Sequence, residues 1–284
     1  MFLPVAVFFL VFKYAPMAGV MIAFKEYNFI DGVWGSPWAG LANFELLFSQ
    51  PSTLNIIRNT FLLSVLELIV MVPFPIMLAI LLYEAKQMLF RKTVQTLAFI
   101  PHFLSWVIVG GITVNIFAQE SGVVNKLMHM LTGETFAFLY HPVSWVSIFL
   151  ASGVWKEAGY AAIIYLAALT VIDPSLYEAA SLDGAGKLKR IWHVTLPGIL
   201  PTIFVMLIIS MGRIMEVGFD KVYMLQNDVV SSISEVISTY IYKVGLQGGY
   251  FSLSAAMGLF ESVVALILVL GSNWLARRFD QGLW

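Results

Sequence analysis

Six long apolar stretches constrain the fold of this chain more than any other feature. Each has about 20 residues or more, the length that a helix needs to cross the hydrocarbon core of a bilayer. Because they lack the polar–apolar alternation of membrane barrels, helices are predicted and strands are not. We therefore predict an all-α integral membrane protein with six transmembrane helices, at 2–24, 56–83, 94–117, 143–170, 199–225 and 253–276. The prolines at 73, 75 and 101 should kink or delimit helices.

The composition indicates that lipid covers much of the surface. Hydrophobic residues make up 60% of the 284 residues and charged residues 12%, whereas soluble domains carry about a quarter charged residues. A net charge of −1 argues against a nucleic-acid partner, and the lack of cysteine excludes disulfides and thiolate chemistry. The apolar start has no basic leader or cleavage site, so we expect it to begin the first span, and whether residues precede it stays open.

Basic residues in the loops predict the orientation of the spans. Eight lysines and arginines lie in the loops after spans two and four and after span six, against three in the other loops. The positive-inside rule places the richer side, and with it both termini, in the cytoplasm. The eight are Lys86, Arg91, Lys92, Lys187, Lys189, Arg190, Arg277 and Arg278, and the three are Lys25, Lys126 and Lys243.

The loop between spans four and five, at 172–201, is the most informative segment. Asp173 is a good N-cap, Pro174 suits the first helical position, and Gly184 and Gly186 should end a short helix. A second short helix with basic flanks should follow it. On composition alone, an amphipathic helix pair whose basic residues only enforce topology would be the simpler explanation of this loop.

The spacing inside the loop is more specific than its composition. Glu-Ala-Ala is followed by three residues, Gly, nine residues and Val-x-Leu-Pro, at Glu178, Ala179, Ala180, Gly184, Val194, Leu196 and Pro197. This arrangement resembles the Glu-Ala-Ala signature of binding-protein-dependent ABC permeases, from which only Val194, in place of isoleucine, departs. The whole chain resembles the MalF-type sugar permeases, and among them the LplB-like branch associated with polysaccharides and larger oligosaccharides. The matching stretches are FKYAPMAGVMIAFKEYN, GSPWAGLANF, QTLAFIPHFLSWV, WKEAGYAAIIYLAAL, RIWHVTLPG, VGFDKVYMLQN, VGLQGGYFS and the closing GLW.

The resemblance implies a type I ABC importer (MetI-like) permease fold, with one transmembrane domain over 1–284 and a coupling loop at about 171–198. It implies ATP-driven import, by alternating access, of a sugar, oligosaccharide or polysaccharide across the bacterial cytoplasmic (inner) membrane. The short loop helix would then be the coupling helix, which docks in a cleft of an ATPase subunit. The implied coupling residues are Glu178, Ala179, Ala180, Asp183, Gly184, Leu196 and Pro197.

The implied partners are a second, homologous permease subunit forming a heterodimer, two ATPase subunits that bind ATP and Mg²⁺, and an extracytoplasmic binding protein that delivers the sugar. Nothing in the sequence suggests that this chain binds nucleotide itself. Its nearest fragment to a Walker A motif, at 184–187, lacks the upstream glycine and the following Ser or Thr. The four histidines lie apart without metal-ligand spacing. We expect no enzyme activity, cofactor or metal in this chain.

Charged residues within the spans are candidates for the substrate pathway, because charge at membrane depth is costly. They are Glu67, Lys156, Glu157, Arg213, Glu216, Asp220, Lys221 and Glu261. Arg213 and Glu216 are three positions apart, so they are expected to share a helix face, and pairing within the bundle and substrate contact both stay open. Since sugar sites combine hydrogen-bonding groups with aromatic faces, the candidate cavity residues are Asn115, Trp155, Glu157, Arg213 and Glu216. For an acidic polysaccharide, such as alginate, Arg213 and Lys156 would be the counter-charges.

Two other classes of protein compete with this interpretation. A gradient-driven carrier would be expected to show repeated halves and interrupted helices at matching positions, and the sequence indicates neither. A membrane-embedded enzyme of polysaccharide metabolism would need acid, base or metal-binding groups gathered at one depth. The sequence leaves the sugar, its length and its charge open.

Overall fold

The computed structural model describes residues 2–278, so the closing Gly-Leu-Trp at 282–284 lies outside the described residues. Within that range the chain is helical, and the only β pairing is one isolated bridge between Lys25 and Trp38. The longer helices are α1 (Phe2–Phe24), α2 (Ala42–Ser49), α3 (Pro51–Glu84), α4 (Met88–Phe103), α5 (Trp106–Phe117), α6 (Val123–Thr132), α7 (Pro142–Val171), α8 (Pro174–Leu182), α9 (Lys187–Gly212), α10 (Phe219–Leu225) and α11 (Phe251–Arg277). Single turns and short pieces occupy Gly32–Gly35, Asp228–Val230, Ser231–Ser234, Ile237–Tyr240 and Ile241–Gln247.

Five of these helices, α1, α3, α7, α9 and α11, are long and apolar enough to cross a membrane. The pair α4 and α5, which meet at an angle of 104°, makes up one further span, the third in chain order. The prediction of an all-helical membrane protein is confirmed, and the third span, predicted at 94–117, is bent near Pro101, where a kink or a helix end was predicted. Pro101 lies in the last turn of α4, and Ser105 begins α5 by accepting the N–H of Ile108 at 3.4 Å. A proline followed by a new N-cap is a sufficient cause of such a bend.

The fifth predicted span, at 199–225, is also interrupted. Helix α9 ends at Gly212, the segment 213–218 is irregular, and α10 begins at Phe219. The predicted shared helix face of Arg213 and Glu216 is therefore wrong, since neither residue is helical. The sequence indicated no interrupted helices at matching positions, whereas the structure has breaks in spans three and five. Irregular backbone at membrane depth is tolerated where it lines a cavity, which is what this segment does.

The loop helix predicted to follow α8 does not stand alone, because α9 starts at Lys187 and continues into the span. At the end of the bundle next to α8, a buried cluster joins α3, α7 and α9 through residues such as Leu82, Leu169 and Ile199. Helices α4 and α7 approach so closely at Gly159 that a Cβ there would overlap the carbonyl oxygen of Ala98. These contacts hold α3, α4, α7 and α9 together around the middle of the bundle.

Candidate functional site

The two interrupted spans meet at one cavity of about 460 Å³, which we call the central cavity. Its wall includes Trp106, the first residue of α5, and Gly218, the last residue before α10. The middle of α3 and α7 and the end of α9 complete it. Five charged residues line it, namely Glu67, Glu157, Arg213, Glu216 and Lys221.

Glu67 and Lys221 form an ion pair across this cavity wall. Nζ of Lys221 lies 2.7 Å from Oε1 of Glu67, and the lysine side chain is only 2% exposed. The ammonium also lies 3.7 Å from the ring centroid of Phe149. Gly153 on α7 leaves it room, because a Cβ there would lie 2.6 Å from Nζ. A buried charge of this kind depends on its partner, so Glu67 fixes α3 to α10.

A second charged group, formed by Glu157, Lys156 and His102, ties α4 to α7 beside the bend. Oε2 of Glu157 lies 2.6 Å from Nδ1 of His102, and Oε1 lies 2.6 Å from Nζ of Lys156. Lys156 also donates to the carbonyl oxygen of His102 at 3.0 Å, and the His102 ring stacks on Tyr160 with centroids 4.0 Å apart. The end of α4 is therefore held to α7 through both the backbone and the side chain of His102.

Trp106 lies between the two charged groups. The ammonium groups of Lys156 and Lys221 each lie 5.3 Å from its ring centroid. Attraction between a cation and an aromatic ring is strongest where water is excluded, and both lysines are buried. The start of α5 is thus fixed by the same lysines that neutralise the two glutamates.

Arg213 differs from the other cations of the cavity. Its side chain is exposed, and it makes no hydrogen bond or ion pair with another residue among 2–278. It does not pair with Glu216, although the amide N–H of Glu216 donates to the carbonyl oxygen of Arg213 at 2.9 Å. Arg213 is therefore an uncommitted positive charge at the cavity.

The structure brings together three of the five predicted cavity residues: Glu157, Arg213 and Glu216. Trp155 is 49% exposed and lies in an apolar groove between α5 and α7. It is two positions from Glu157 on α7, so the two side chains lie on different faces of that helix. Asn115 lies on an exposed face of α5, where its amide donates to the carbonyl oxygen of Gly111 at 2.8 Å. Neither of these two is among the described residues that line the central cavity.

Sequence reasoning missed Trp106, which lines the central cavity, and His102, which pairs with Glu157 beside it. The nearby Pro101 was recognised as a place for a kink, but nothing in the sequence shows which charged residues a kink will face. Glu67 and Lys221 were recognised as charges inside spans, although their pairing over 154 positions was not predictable from spacing.

The cap and the glycine turn of the loop between α7 and α9 are built as the sequence predicts. The Asp173 carboxylate accepts the N–H of Ser175 at 2.9 Å, which lowers the pKa of Asp173 from its ordinary value. Helix α8 is followed by a turn at Gly184, whose φ is +75°, a conformation that glycine adopts without strain. The N–H of Ala185 donates to the carbonyl oxygen of Ala180 at 2.9 Å, the six-to-one bond of a Schellman turn.

Two side-chain contacts join α8 to the first turns of α9. Tyr177 and Thr195 share a hydrogen bond of 3.1 Å between their hydroxyl oxygens, and Nη1 of Arg190 donates to Oγ of Ser181 at 3.1 Å. Tyr177 packs against the buried cluster of α3, α7 and α9, and burial raises the pKa of its hydroxyl, which stays protonated at neutral pH. Helix α8 is therefore held as one unit with α9.

The opposite face of α8 has no cover within the described chain. Leu176 is 53% and Leu182 is 89% exposed. The predicted coupling residues Glu178, Ala179, Asp183 and Gly184 are exposed, as is Pro197, while Ala180 is partly buried and Leu196 packs into the cluster beneath. An apolar helix face with a carboxylate is thus presented outward.

Comparison with known proteins agrees with these features. A family model described as "Binding-protein-dependent transport system inner membrane component" matches residues 52–284. Protein LplB of Bacillus subtilis (strain 168) is 42% identical over 279 residues, which are 98% of this chain and 88% of that protein. The polygalacturonan/rhamnogalacturonan transport system permease protein YteP of the same strain is 44% identical over 281 residues, 99% of this chain and 88% of that one.

Solved structures resemble the chain over nearly its whole length. A chain of a bacterial alginate ABC transporter, in complex with an alginate pentasaccharide-bound periplasmic protein, superposes with a TM-score of 0.92 and 40% identity, and 99% of this chain and 94% of that chain are covered. A chain of a bacterial ABC transporter involved in the import of the acidic polysaccharide alginate gives a TM-score of 0.91 and 41% identity over 98% and 94% of the two chains.

Proposed function

Because the chain belongs to the family of binding-protein-dependent transport system inner membrane components, we propose that it is the permease subunit of an ABC importer that takes up a saccharide delivered by an extracytoplasmic binding protein. The relatives that transport oligosaccharides or polysaccharides support this assignment. The observation that carries it is the exposed helix α8, which bears the Glu-Ala-Ala residues and ends in a glycine turn, as a surface for an ATPase subunit must.

The proposal includes partners that lie outside this chain. Two ATPase subunits bind ATP and Mg²⁺, and one of them receives α8. A second, homologous permease chain completes the pathway as a heterodimer. Both termini and α8 lie on the cytoplasmic side, as the excess of lysine and arginine there supports. This chain supplies the pathway and the coupling surface and carries no cofactor.

The contacts of α8 suggest how ATPase movement reaches the cavity. Tyr177 and Ser181 fix α8 to the start of α9. Helix α9 runs without interruption from Lys187 to Gly212, and the cavity segment starts at the next residue, Arg213. A displacement of α8 is therefore transmitted along one helix to the exposed arginine. The interruption at 213–218 lets that end move while α10 stays bound to Glu67 through Lys221.

The substrate we propose is an acidic oligosaccharide. Lys156 and Lys221 are already paired with carboxylates, whereas Arg213 is not. A guanidinium forms two parallel hydrogen bonds to a carboxylate, which a neutral sugar does not offer. The resemblance to a transporter of the acidic polysaccharide alginate supports the same substrate class.

The experiment is ATP hydrolysis by the complete complex in liposomes. The chain is co-expressed with its partner permease and ATPase subunits, and the binding protein is loaded with an alginate pentasaccharide, a polygalacturonan pentasaccharide or neutral maltopentaose. We expect stimulation by an acidic sugar in the wild type and its loss in Glu178→Ala and Gly184→Asp. Gly186→Asp is the matched control, because Gly186 has an ordinary φ of −68° at an N-cap position where Asp is favourable.

A gradient-driven carrier is the competing function, and the two interrupted spans are a feature that such carriers share. Uptake of the sugar into liposomes that contain this chain alone, driven by an ion gradient, would establish that function instead. Stimulation that is unchanged in Glu178→Ala and Gly184→Asp would remove the coupling role of α8.

A further inference from the structure

A second cavity of about 660 Å³ lies on the other side of the interrupted segment, between that segment and α11. We call it the side cavity. It shares Glu216, Val217 and Gly218 with the central cavity, so the two spaces adjoin along one strip of backbone. Its remaining wall comes from α11 and from the short helices before it.

The two serine hydroxyls of the side cavity offer only acceptor positions to a ligand. Ser262 donates its hydroxyl proton to the carbonyl oxygen of Gly258 at 2.8 Å, and Ser238 donates to that of Val217 at 3.1 Å. Their oxygen lone pairs therefore face the cavity without a proton to offer. Glu216 and Glu261 add two carboxylates. A ligand that fits must bring donors, as the hydroxyl groups of a saccharide do.

One wall of the side cavity is aromatic. Phe219 lines it and is backed by Tyr223 and Tyr242, whose ring centroids lie 5.2 Å and 5.0 Å from its own. The three rings hold one another in place. An aromatic face beside convergent polar groups suits a sugar ring, whose C–H face is apolar while its edge carries hydroxyl groups.

The position of Glu261 near the middle of α11 indicates that the side cavity holds water and not lipid. Ionisable residues within spanning helices face the bundle interior or an aqueous space, because contact with hydrocarbon is too costly. Two carboxylates in one cavity make that requirement stronger. Val263, two positions further along the same helix, is 47% exposed, does not line the side cavity and offers a reference position.

We propose that the side cavity is a second saccharide subsite, which binds the hydroxyl groups of an uncharged sugar unit while Arg213 holds the carboxylate of a neighbouring acidic unit in the central cavity. This inference rests on the proposed function and extends it. It requires a substrate of two or more units, which passes over the strip of backbone at Val217 and Gly218.

The chain contains no cysteine, so single cysteine variants can be labelled without background from it. The experiment uses Ser262→Cys in the complete complex in liposomes, with Val263→Cys as the control at the same depth. A membrane-impermeant thiol reagent is added with the binding protein either empty or loaded with a rhamnogalacturonan pentasaccharide, in which uncharged rhamnose units alternate with acidic galacturonate units. We expect Cys at 262 to be labelled and the loaded binding protein to slow that labelling about tenfold, the effect of occupancy at saturating ligand. Cys at 263 should stay unlabelled.

Ser238→Cys is the second variant, for the case that Ser262→Cys does not assemble. Labelling that the sugar does not slow, or no labelling at either serine position, would overturn the subsite. Glu261→Gln adds a kinetic readout, and we expect its KM for the pentasaccharide to rise about tenfold, the loss of one charge-assisted hydrogen bond. An unchanged KM would also contradict the proposal. If no sugar stimulates the wild-type complex, the proposed function itself fails, which is a separate result.

Discussion

The central cavity and the loop around α8 satisfy their polar groups in opposite ways. In the cavity, Glu67 pairs with a lysine 154 positions away and Glu157 with a histidine 55 positions away, so the charges are neutralised within the chain. In the loop, the contacts span short distances in sequence, such as the 18 positions from Tyr177 to Thr195, and the outward face has no cover. Changes in the cavity pairs should therefore affect folding, and changes in the loop should affect coupling to another subunit.

The largest effect is expected from Glu67→Ala. It leaves the ammonium of Lys221 buried without its carboxylate, and removal of one partner of a buried ion pair costs about 3–5 kcal/mol. We expect a lower yield of folded chain and a lower unfolding temperature of the purified complex.

Lys221→Met in the Glu67→Ala background is the matched control, because it removes the stranded charge while keeping an unbranched side chain beside Phe149. The double variant should regain most of the stability of the wild type. If Glu67→Ala alone were as stable as the wild type, the central cavity would not depend on internal pairing and the contrast between the two regions would fail.

The same contrast explains what the sequence could predict. The apolar helices, the cap at Asp173 and the glycine turn at Gly184 depend on residues close in sequence, and the structure has them near the predicted places, although the third and fifth spans are broken. Pro101 was recognised as a kink or helix end, but the break after Gly212 was missed, because apolar residues continue on both sides and hydropathy alone does not register it. The pairing of Glu67 with Lys221 depends on how α3 and α10 pack, which no local spacing encodes.

Arg213→Gln tests whether one cavity charge is reserved for substrate. Because Arg213 has no partner among the described side chains, its loss should leave the unfolding temperature unchanged. The KM for an acidic pentasaccharide should rise about 10- to 100-fold, the loss of hydrogen bonds to a charged group. Uptake of radiolabelled sugar into proteoliposomes measures this, and Arg213→Lys, which keeps the charge, should lose less. Equal uptake by all three proteins would contradict a carboxylate site at Arg213.

Gly184→Ala tests the loop through its backbone. A side chain at a φ of +75° is strained by about 1–2 kcal/mol, although no atom lies within 4 Å to clash with it. We expect the turn after α8 to shift and sugar-stimulated ATP hydrolysis to fall, while the unfolding temperature of the transmembrane bundle stays close to that of the wild type. Gly186→Ala, at an ordinary φ of −68° and equally open, should behave as the wild type. If both variants lost stimulation equally, the effect would come from loop flexibility and not from the turn.

The smallest effect, about 1 kcal/mol, is expected for the hydrogen bond between Tyr177 and Thr195, and it bears on whether the two regions communicate. Tyr177→Phe removes the hydroxyl and keeps the ring in the buried cluster, while Thr195→Val removes the other partner at nearly equal size. Stability of the two single variants and the double variant gives a coupling energy, which we expect to be near that value.

If α9 carries movement from α8 to Arg213, Tyr177→Phe should also raise the ATP hydrolysed per sugar imported, because the contact between the two helices is looser. A stability change without any change in that ratio would show that the joint supports the fold only, and that the loop and the cavity are linked through another contact.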